Sequence, residues 1–187
     1  MTNDDTPAAH GFRMPAEWEP HAATWLSWPH EITDWPGKFG PVQWVYTEII
    51  KALTRNEPVN LIVPPGDASA KHALRAAGID VSRVNLGELR TDRSWVRDSG
   101  PIFVVNEKGD KAALDWRFNA WAKYPNWTHD DQIPAFAAEA CGVRSWRPHC
   151  RGWRVVLEGG SIDVNGKGRL LTTEECLLSS TQHRNPP

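Results

Sequence analysis

The 187-residue sequence predicts a mixed α/β fold built from repeated, strand-rich modules. Two observations carry that prediction. Strand-like segments come in pairs broken by single helices, whereas a doubly wound parallel sheet needs more regular alternation. In addition, one pattern occurs twice. Asp98 precedes Gly100 and the run Ile102-Phe103-Val104-Val105, which ends at Asn106-Glu107-Lys108-Gly109. Sixty positions later Glu158 precedes Gly160, Ile162 and Val164, and that run ends at Asn165-Gly166-Lys167-Gly168. A second apolar segment follows each turn, Ala112-Ala113-Leu114 in one case and Leu170-Leu171 in the other. The pattern is acid, small residues, strand, tight turn, strand. It places each acid at the entrance of a hairpin, where its side chain can face a shared centre. The competing reading is two ordinary hairpins with solvated acids at their mouths.

The elements follow in order. Residues 1–13 read as a disordered leader, and 14–187 as one incomplete α/β domain. Ala22 to Trp28 reads as a strand ended by Pro29. Val42, Val45, Ile49, Ala52 and Leu53 have helical spacing, with Pro41 just ahead. Val59 to Val63 is a short buried strand closed by Pro64-Pro65. Asp67 to Ala77 reads as a helix, with Asp67 as N-cap and Gly78 as its stop. Val81 to Leu86 is a further strand. The Asp98 hairpin comes next, then a Trp-rich loop from Trp116 to Trp127. A helix over Asp131 to Cys141 is stopped by Gly142, and a short strand near Arg144 to Pro148 precedes the Glu158 hairpin. Arg184-Asn185-Pro186 has the form of an element's opening turn, which makes the sequence read as a piece of something longer.

Bulk properties narrow the function classes. Lys plus Arg total 21 against 23 Asp plus Glu, a formal net charge of −2, which gives no electrostatic case for nucleic acid or an anionic membrane. No run approaches the ~18 apolar residues of a spanning helix. The polar start Met1-Thr2-Asn3-Asp4-Asp5 is unlike a secretory signal. Cys141, Cys150 and Cys176 form neither a disulfide framework nor a zinc knuckle, and a cytoplasmic protein with reduced thiols is expected. Gly159-Gly160 precedes a strand rather than a helix, which argues against a nucleotide-binding loop. The eleven tryptophans stand out against five Phe and two Tyr. Trp combines a large apolar face with one donor and is the best aromatic partner for a cation.

Two carboxylates with Trp95 three residues before Asp98 suit a planar cation. Guanidinium offers a fixed fork of N–H donors that meets carboxylate oxygens in pairs, and it stacks on aromatic faces. Arg97 alternates with Asp98, so on a strand it faces away, with Asp92 or Asp115 as its expected partner.

Five stretches resemble, in order, the agmatine deiminase and bacterial-type peptidylarginine deiminase family of the guanidine-modifying superfamily. They are Met14 to His21, Trp95 to Pro101, Asp115 to Trp121, Leu157 to Ile162 and Leu171 to Leu178. The resemblance implies about the first half of a five-module α/β-propeller (pentein) of ββαβ units around a central site. It implies hydrolysis of agmatine to N-carbamoylputrescine and ammonia, a step towards putrescine. A cysteine thiolate attacks the guanidinium carbon, a histidine moves protons, and two acids clamp the nitrogens. It implies no metal and no organic cofactor. By matched position, Asp98 resembles the first guanidinium-binding aspartate and Trp95 the aromatic lining. Glu158 resembles an active-site acid near the histidine or the substrate tail. Trp116, Phe118, Asn119 and Trp121 fall in a loop expected near the entrance.

The sequence departs from the family in one respect. The family's Gly-His-Xaa-Asp stretch and its late nucleophilic cysteine are not found here. His21 reads as structural, and Cys176 as a small packed residue. Cys150 lies beside His149, Arg147 and Arg151, but local charge alone does not make it a nucleophile. The isolated chain is therefore expected to be inactive. Free arginine is disfavoured as substrate, while agmatine and an arginine side chain stay open. A non-catalytic module for a cationic ligand, or a glycosidase using Asp98 and Glu158, are the rival classes. A ring cut midway exposes apolar edges, so association with a missing half, self-association into a homo-oligomer and aggregation are the expected fates.

Overall fold

The computed structural model describes residues 5–186 and has an α/β fold. The chain divides into two compact units. One is Pro20–Val96; the other joins the described residues up to Glu19 to those from Arg97 onward.

The Pro20–Val96 unit alternates strand and helix: β1 (Thr24–Ser27), α1 (Phe39–Leu53), β2 (Val59–Val63), α2 (Ser69–Ala76) and β3 (Val84–Glu88). All three strands are parallel in the order β1-β2-β3, with Leu26, Leu61 and Leu86 in register. Both helices pack on one face, where they contact each other. The core lies between them: Val59, Leu61 and Val63 from alternate positions of β2 meet Ile50 of α1 and Ala70 and Leu74 of α2. This unit is more regular than the paired-strand pattern anticipated, because its two helical runs fall between single strands.

Local chemistry sets the helix ends. α1 begins three residues before the anticipated Val42, and Pro41 sits in its first turn, where a missing N–H costs nothing. Asp67 is not the N-cap of α2; its carboxylate takes the Ser69 N–H at 2.6 Å in the turn just before the helix. α2 stops at Gly78, whose φ of 66° closes a Schellman motif: Ile79 N–H donates to Leu74 and Gly78 N–H to Arg75. The anticipated strand over Val81 to Leu86 starts late. The Asp80 side chain caps a 3-10 turn over Val81–Arg83, and the strand follows it.

The second unit contains a ββαβ module. The antiparallel hairpin β4 (Ile102–Val105) and β5 (Lys111–Leu114) is followed by a helix, which the intervening α3 (Val96–Ser99) makes α4 (Ile133–Ala140). β6 (Arg144–Trp146) then returns parallel to β5. A small hairpin missed in the sequence follows, β7 (His149–Cys150) with β8 (Trp153–Arg154). Its turn residues Arg151 and Gly152 both have positive φ, and Arg-Gly lacks the usual Asn-Gly signature. The Glu158 hairpin is β9 (Ile162–Val164) with β10 (Leu170–Thr172), ending in α5 (Glu174–Leu178), capped by Thr173.

The internal repeat holds at the turns. Asn106 accepts the backbone N–H groups of Lys108 and Asp110, and Asn165 accepts those of Lys167 and Arg169. Gly109 and Gly168 share a φ of 83°.

Residues 5–13, expected within a disordered leader, carry defined contacts, while residues 1–4 lie outside the described part. Asp5 pairs with Arg144 at 2.6 Å, and Arg13 exchanges two backbone hydrogen bonds with Val105 at the open edge of β4. Phe12 and Met14 pack on Val104, Ala112 and Trp146. Among the described residues no helix is long and apolar enough to cross a membrane.

Candidate functional site

Asp98 is not on a strand. It lies in the one-turn helix α3, which Pro101 prevents from continuing. Arg97, exposed, reaches Glu17 at 2.7 Å, so its partner is neither Asp92 nor Asp115. Asp98 is half-buried, and its Oδ1 accepts the Gly160 N–H at 3.1 Å. The Trp121 side chain donates a further hydrogen bond to it. Burial first, and then the nearby charge of Glu158, push the Asp98 pKa above its ordinary value. The two acids of the repeat are therefore close enough for the charge of one to act on the other.

The Gly159-Gly160 pair makes that approach possible. A Cβ on Gly159 would stand 2.6 Å from the Arg97 carbonyl oxygen, and one on Gly160 would occupy the space of Asp98 Oδ1. These glycines seat the Glu158 turn against α3 without any role in phosphate binding.

Glu158 is only 1% exposed. It stands just ahead of a 3-10 turn over Gly159–Ser161, and its carbonyl accepts both the N–H and the hydroxyl of Ser161. Its Oε1 accepts Arg184 Nε at 2.9 Å, while Oε2 is buried with no hydrogen-bond partner among the described residues. The sequence reading places Arg184 only in an opening turn, not beside Glu158. The signal was an acid inside the apolar run Val155-Val156-Leu157-Glu158, which needs a buried cation. Asn185 secures the same segment, bonding both the N–H and the carbonyl of Val156.

Trp121 reaches Asp98 from an unusual backbone. Ala120, Trp121 and Ala122 have φ of 49°, 60° and 53°, three successive L-residues in the left-handed region. Each costs about 1 kcal/mol or more, so the surroundings have to hold them. Asn119 does so by accepting the Ala122 N–H at 3.0 Å and donating to the Arg184 carbonyl at 3.2 Å. Phe118 packs edge-on to Trp121, ring centres 5.2 Å apart. Phe118 is itself buried, a support for Trp121 rather than part of an entrance. The Trp116 indole N–H is buried without a partner among the described residues.

Arg154 ties both stems of this loop. It pairs with Asp115, donates to the Trp116 carbonyl at 3.1 Å, and reaches Asp131 Oδ2 at 2.7 Å. Asp131 in turn accepts the Phe118 N–H, and Arg147 completes the pairing of Asp115. Burial pushes the Asp131 pKa up despite Arg154.

Trp95 belongs to the other unit, where its ring stacks on Trp35 at 5.4 Å and stays 40% exposed. The cysteines are free thiols; Cys141 and Cys150 are exposed and Cys176 is half-buried. Among the described residues no three His, Cys, Asp or Glu converge as metal ligands would. A cleft of about 690 Å³ borders the loop, and its charged lining residues, Arg117, Lys123, Arg154 and Arg184, are all basic.

An α/β fold thus brings the two acids of the repeat together beside an aromatic loop. The family of Porphyromonas-type peptidyl-arginine deiminases matches residues 13–187, and the chain belongs to it. It is 41% identical over 186 residues to the agmatine deiminase of Ectopseudomonas mendocina, covering 97% of this chain and 48% of that one. The agmatine deiminase of Pseudomonas aeruginosa gives the same figures. Among solved structures, the agmatine deiminase of Enterococcus faecalis superposes with a TM-score of 0.83 at 36% identity, over 96% of this chain and 48% of that one. A C. jejuni agmatine deiminase variant with substrate bound gives 0.75 at 29% identity, over 91% and 48%. The chain thus spans about half the length of the relatives it matches.

Proposed function

We propose that this chain supplies the acid-bearing half of an agmatine deiminase-like site, which cleaves a guanidinium C–N bond through a cysteine adduct. The observation that carries the reading is Asp98, held by the Gly160 N–H and the Trp121 side chain beside the buried Glu158. A guanidinium edge placed there meets a carboxylate already aimed and partly stripped of water, so little reorganisation is needed on binding. Glu158 Oε2, unpartnered and buried, offers a second acceptor. Trp121 would both hold Asp98 and line the pocket. The attacking thiolate and the proton-transferring histidine come from the family's other segments, so this chain alone turns over no agmatine. The names of its relatives and its half-length match support that reading, along with a place in a five-module propeller and in putrescine formation. Three free cysteines suit a cytoplasmic setting.

An arginine side chain is the second reading, favoured by the description of the matching family. A non-catalytic guanidinium-binding module is the third, favoured by the missing Gly-His-Xaa-Asp stretch.

Titration calorimetry of the chain with agmatine, arginine and choline tests the proposal. Agmatine should bind and choline should not, since a quaternary ammonium has no N–H to give Asp98. Asp98→Asn should weaken agmatine at least ~10-fold, a loss of about 1.4 kcal/mol. Equal binding of choline and agmatine, or an unaffected D98N variant, would count against it.

A further inference from the structure

Neither Asp98 nor Glu158 lines the cleft of about 690 Å³ beside the aromatic loop, and among the described residues no other acid does. Its size lies within the ~300–1,000 Å³ of small-molecule sites. Three segments wall it, and hydrogen bonds lace them together. Arg117 joins the loop stem to the stretch after β8: its N–H donates to the Val155 carbonyl at 2.9 Å, and its carbonyl accepts the Leu157 N–H. Asn185 takes both main-chain groups of Val156, and Asn119 donates to the Arg184 carbonyl. All three segments belong to one unit, so its fold shapes the cleft in advance.

The cations in the cleft are not equivalent. Arg154 is committed to Asp115 and Asp131, and Arg184 to Glu158. Arg117 and Lys123 pair with no carboxylate among the described residues. Each lies against a ring instead, Arg117 5.1 Å from the centre of Trp127 and Lys123 5.2 Å from that of Tyr124. A π face attracts a cation without cancelling its charge, and it leaves the N–H groups at the rim free to donate. Arg117 is also half-buried, where water screens its field less. Arg184 gives Nε to Glu158 and Nη1 to the Gln182 carbonyl, and no group among the described residues accepts from its Nη2. With the paired cations set aside, the cleft holds two uncompensated positive charges. Trp153 adds a flat apolar face, 61% exposed.

Two charges, a guanidinium fork and a bare indole specify the ligand. A carboxylate answers only one of the cations. A phosphomonoester carries close to two negative charges at neutral pH and three strong acceptor oxygens. A flat ring on the same molecule stacks on Trp153. We propose that the cleft between the aromatic loop, β8 and the Arg184 segment binds a phosphomonoester attached to a planar ring, the chemistry of a nucleoside monophosphate. Side chains do the recognising, so no glycine-rich loop is needed. The proposal does not rest on the reaction assigned to the acids.

Titration calorimetry of the chain with adenosine 5′-monophosphate, adenosine, inorganic phosphate and an oligoglutamate peptide is the test. The monophosphate should bind. Adenosine and phosphate should each bind at least ~10-fold more weakly, because each lacks one of the two recognised groups. Added salt should weaken the monophosphate. Arg117→Gln should weaken both the monophosphate and phosphate at least ~10-fold. Trp153→Ala should weaken the monophosphate by a similar factor and leave phosphate unchanged. Lys123→Gln should weaken the monophosphate ~3-fold or more, whereas Lys108→Gln, in the β4–β5 turn outside the cleft, should have no effect. Lys123 and Trp153 are exposed, so those two variants carry the test if Arg117→Gln does not fold. Absence of monophosphate binding overturns the proposal, as does phosphate binding equally well, which marks an adventitious ion only. Tighter binding of oligoglutamate, parent-like binding by W153A and K123Q, or an equal loss in K108Q also overturns it. Asp98 does not line the cleft, so failure of the agmatine titration leaves this result standing.

Discussion

Asp98 and Glu158 hold matching places in the repeat, yet the chain treats them differently. Glu158 is buried and has one oxygen committed to Arg184, an internal guanidinium. Asp98 is half-buried and is met by a backbone N–H and a Trp side chain, neither of which carries charge. One acid is largely neutralised from within, and the other is met by uncharged donors alone. Two free carboxylates this close would repel, and a monovalent ligand could satisfy only one of them. With Arg184 in place, the acid pair and its internal cation together carry one unmatched negative charge.

The largest expected effect comes from breaking the neutralised side. Arg184→Met leaves a buried carboxylate without its cation and should cost about 3 kcal/mol or more in urea unfolding. Adding Glu158→Gln should recover a good part of that loss, since the two groups act as a unit. If the double variant is no more stable than R184M, Arg184 serves the Gln182–Asn185 segment rather than Glu158.

Next comes the contact between the two turns. Gly159→Ala drives a methyl into the Arg97 carbonyl, a backbone atom that cannot swing away, and should cost about 2 kcal/mol. Gly160→Ala meets a side chain instead, so it should cost less stability but displace Asp98 and weaken agmatine binding. Denaturant midpoints read with binding enthalpies separate the two. Equal stability losses with intact binding would show that Asp98 has room to move.

The same contrast explains how much was legible in advance. The hairpins were, because alternation and the Asn-to-Gly turns encode them locally. β2 and the Gly78 and Gly142 stops were as well, for the same reason. The α3 turn was not. Its residues also suit a strand, and what seats Asp98 is the passing Gly160 N–H, sixty-two positions away from it. Arg184 and the left-handed run at Trp121 were hidden for a related reason. Nothing at Ala120 to Ala122 announces positive φ; Asn119, Phe118 and the Arg184 carbonyl impose it from outside. Arg97 was assigned a wrong partner because the strand reading fixed its direction. The acids could be named from the pattern, but which of them would be paired internally depended on residues far along the chain.

The smallest expected stability effect separates the acids by sign. Burial raises the Asp98 pKa in the folded state above the 3.8 of an unperturbed aspartate. The folded chain therefore holds that proton more tightly than the unfolded chain does. Through the window from the ordinary value up to the raised one, this group makes stability fall as pH rises, and the deficit persists above it. Asp98→Asn removes the titrating charge. Its melting temperature should match the parent at about pH 3, below the ordinary carboxylate range, and exceed it by a growing margin towards about pH 7. Glu158→Gln should move the other way at neutral pH, because it strands the Arg184 guanidinium. Thermal melts of both variants across that range are the measurement. A D98N variant less stable than the parent at neutral pH would mean that the bonds from Gly160 and Trp121 outweigh burial, so that Asp98, like Glu158, is already satisfied without a ligand.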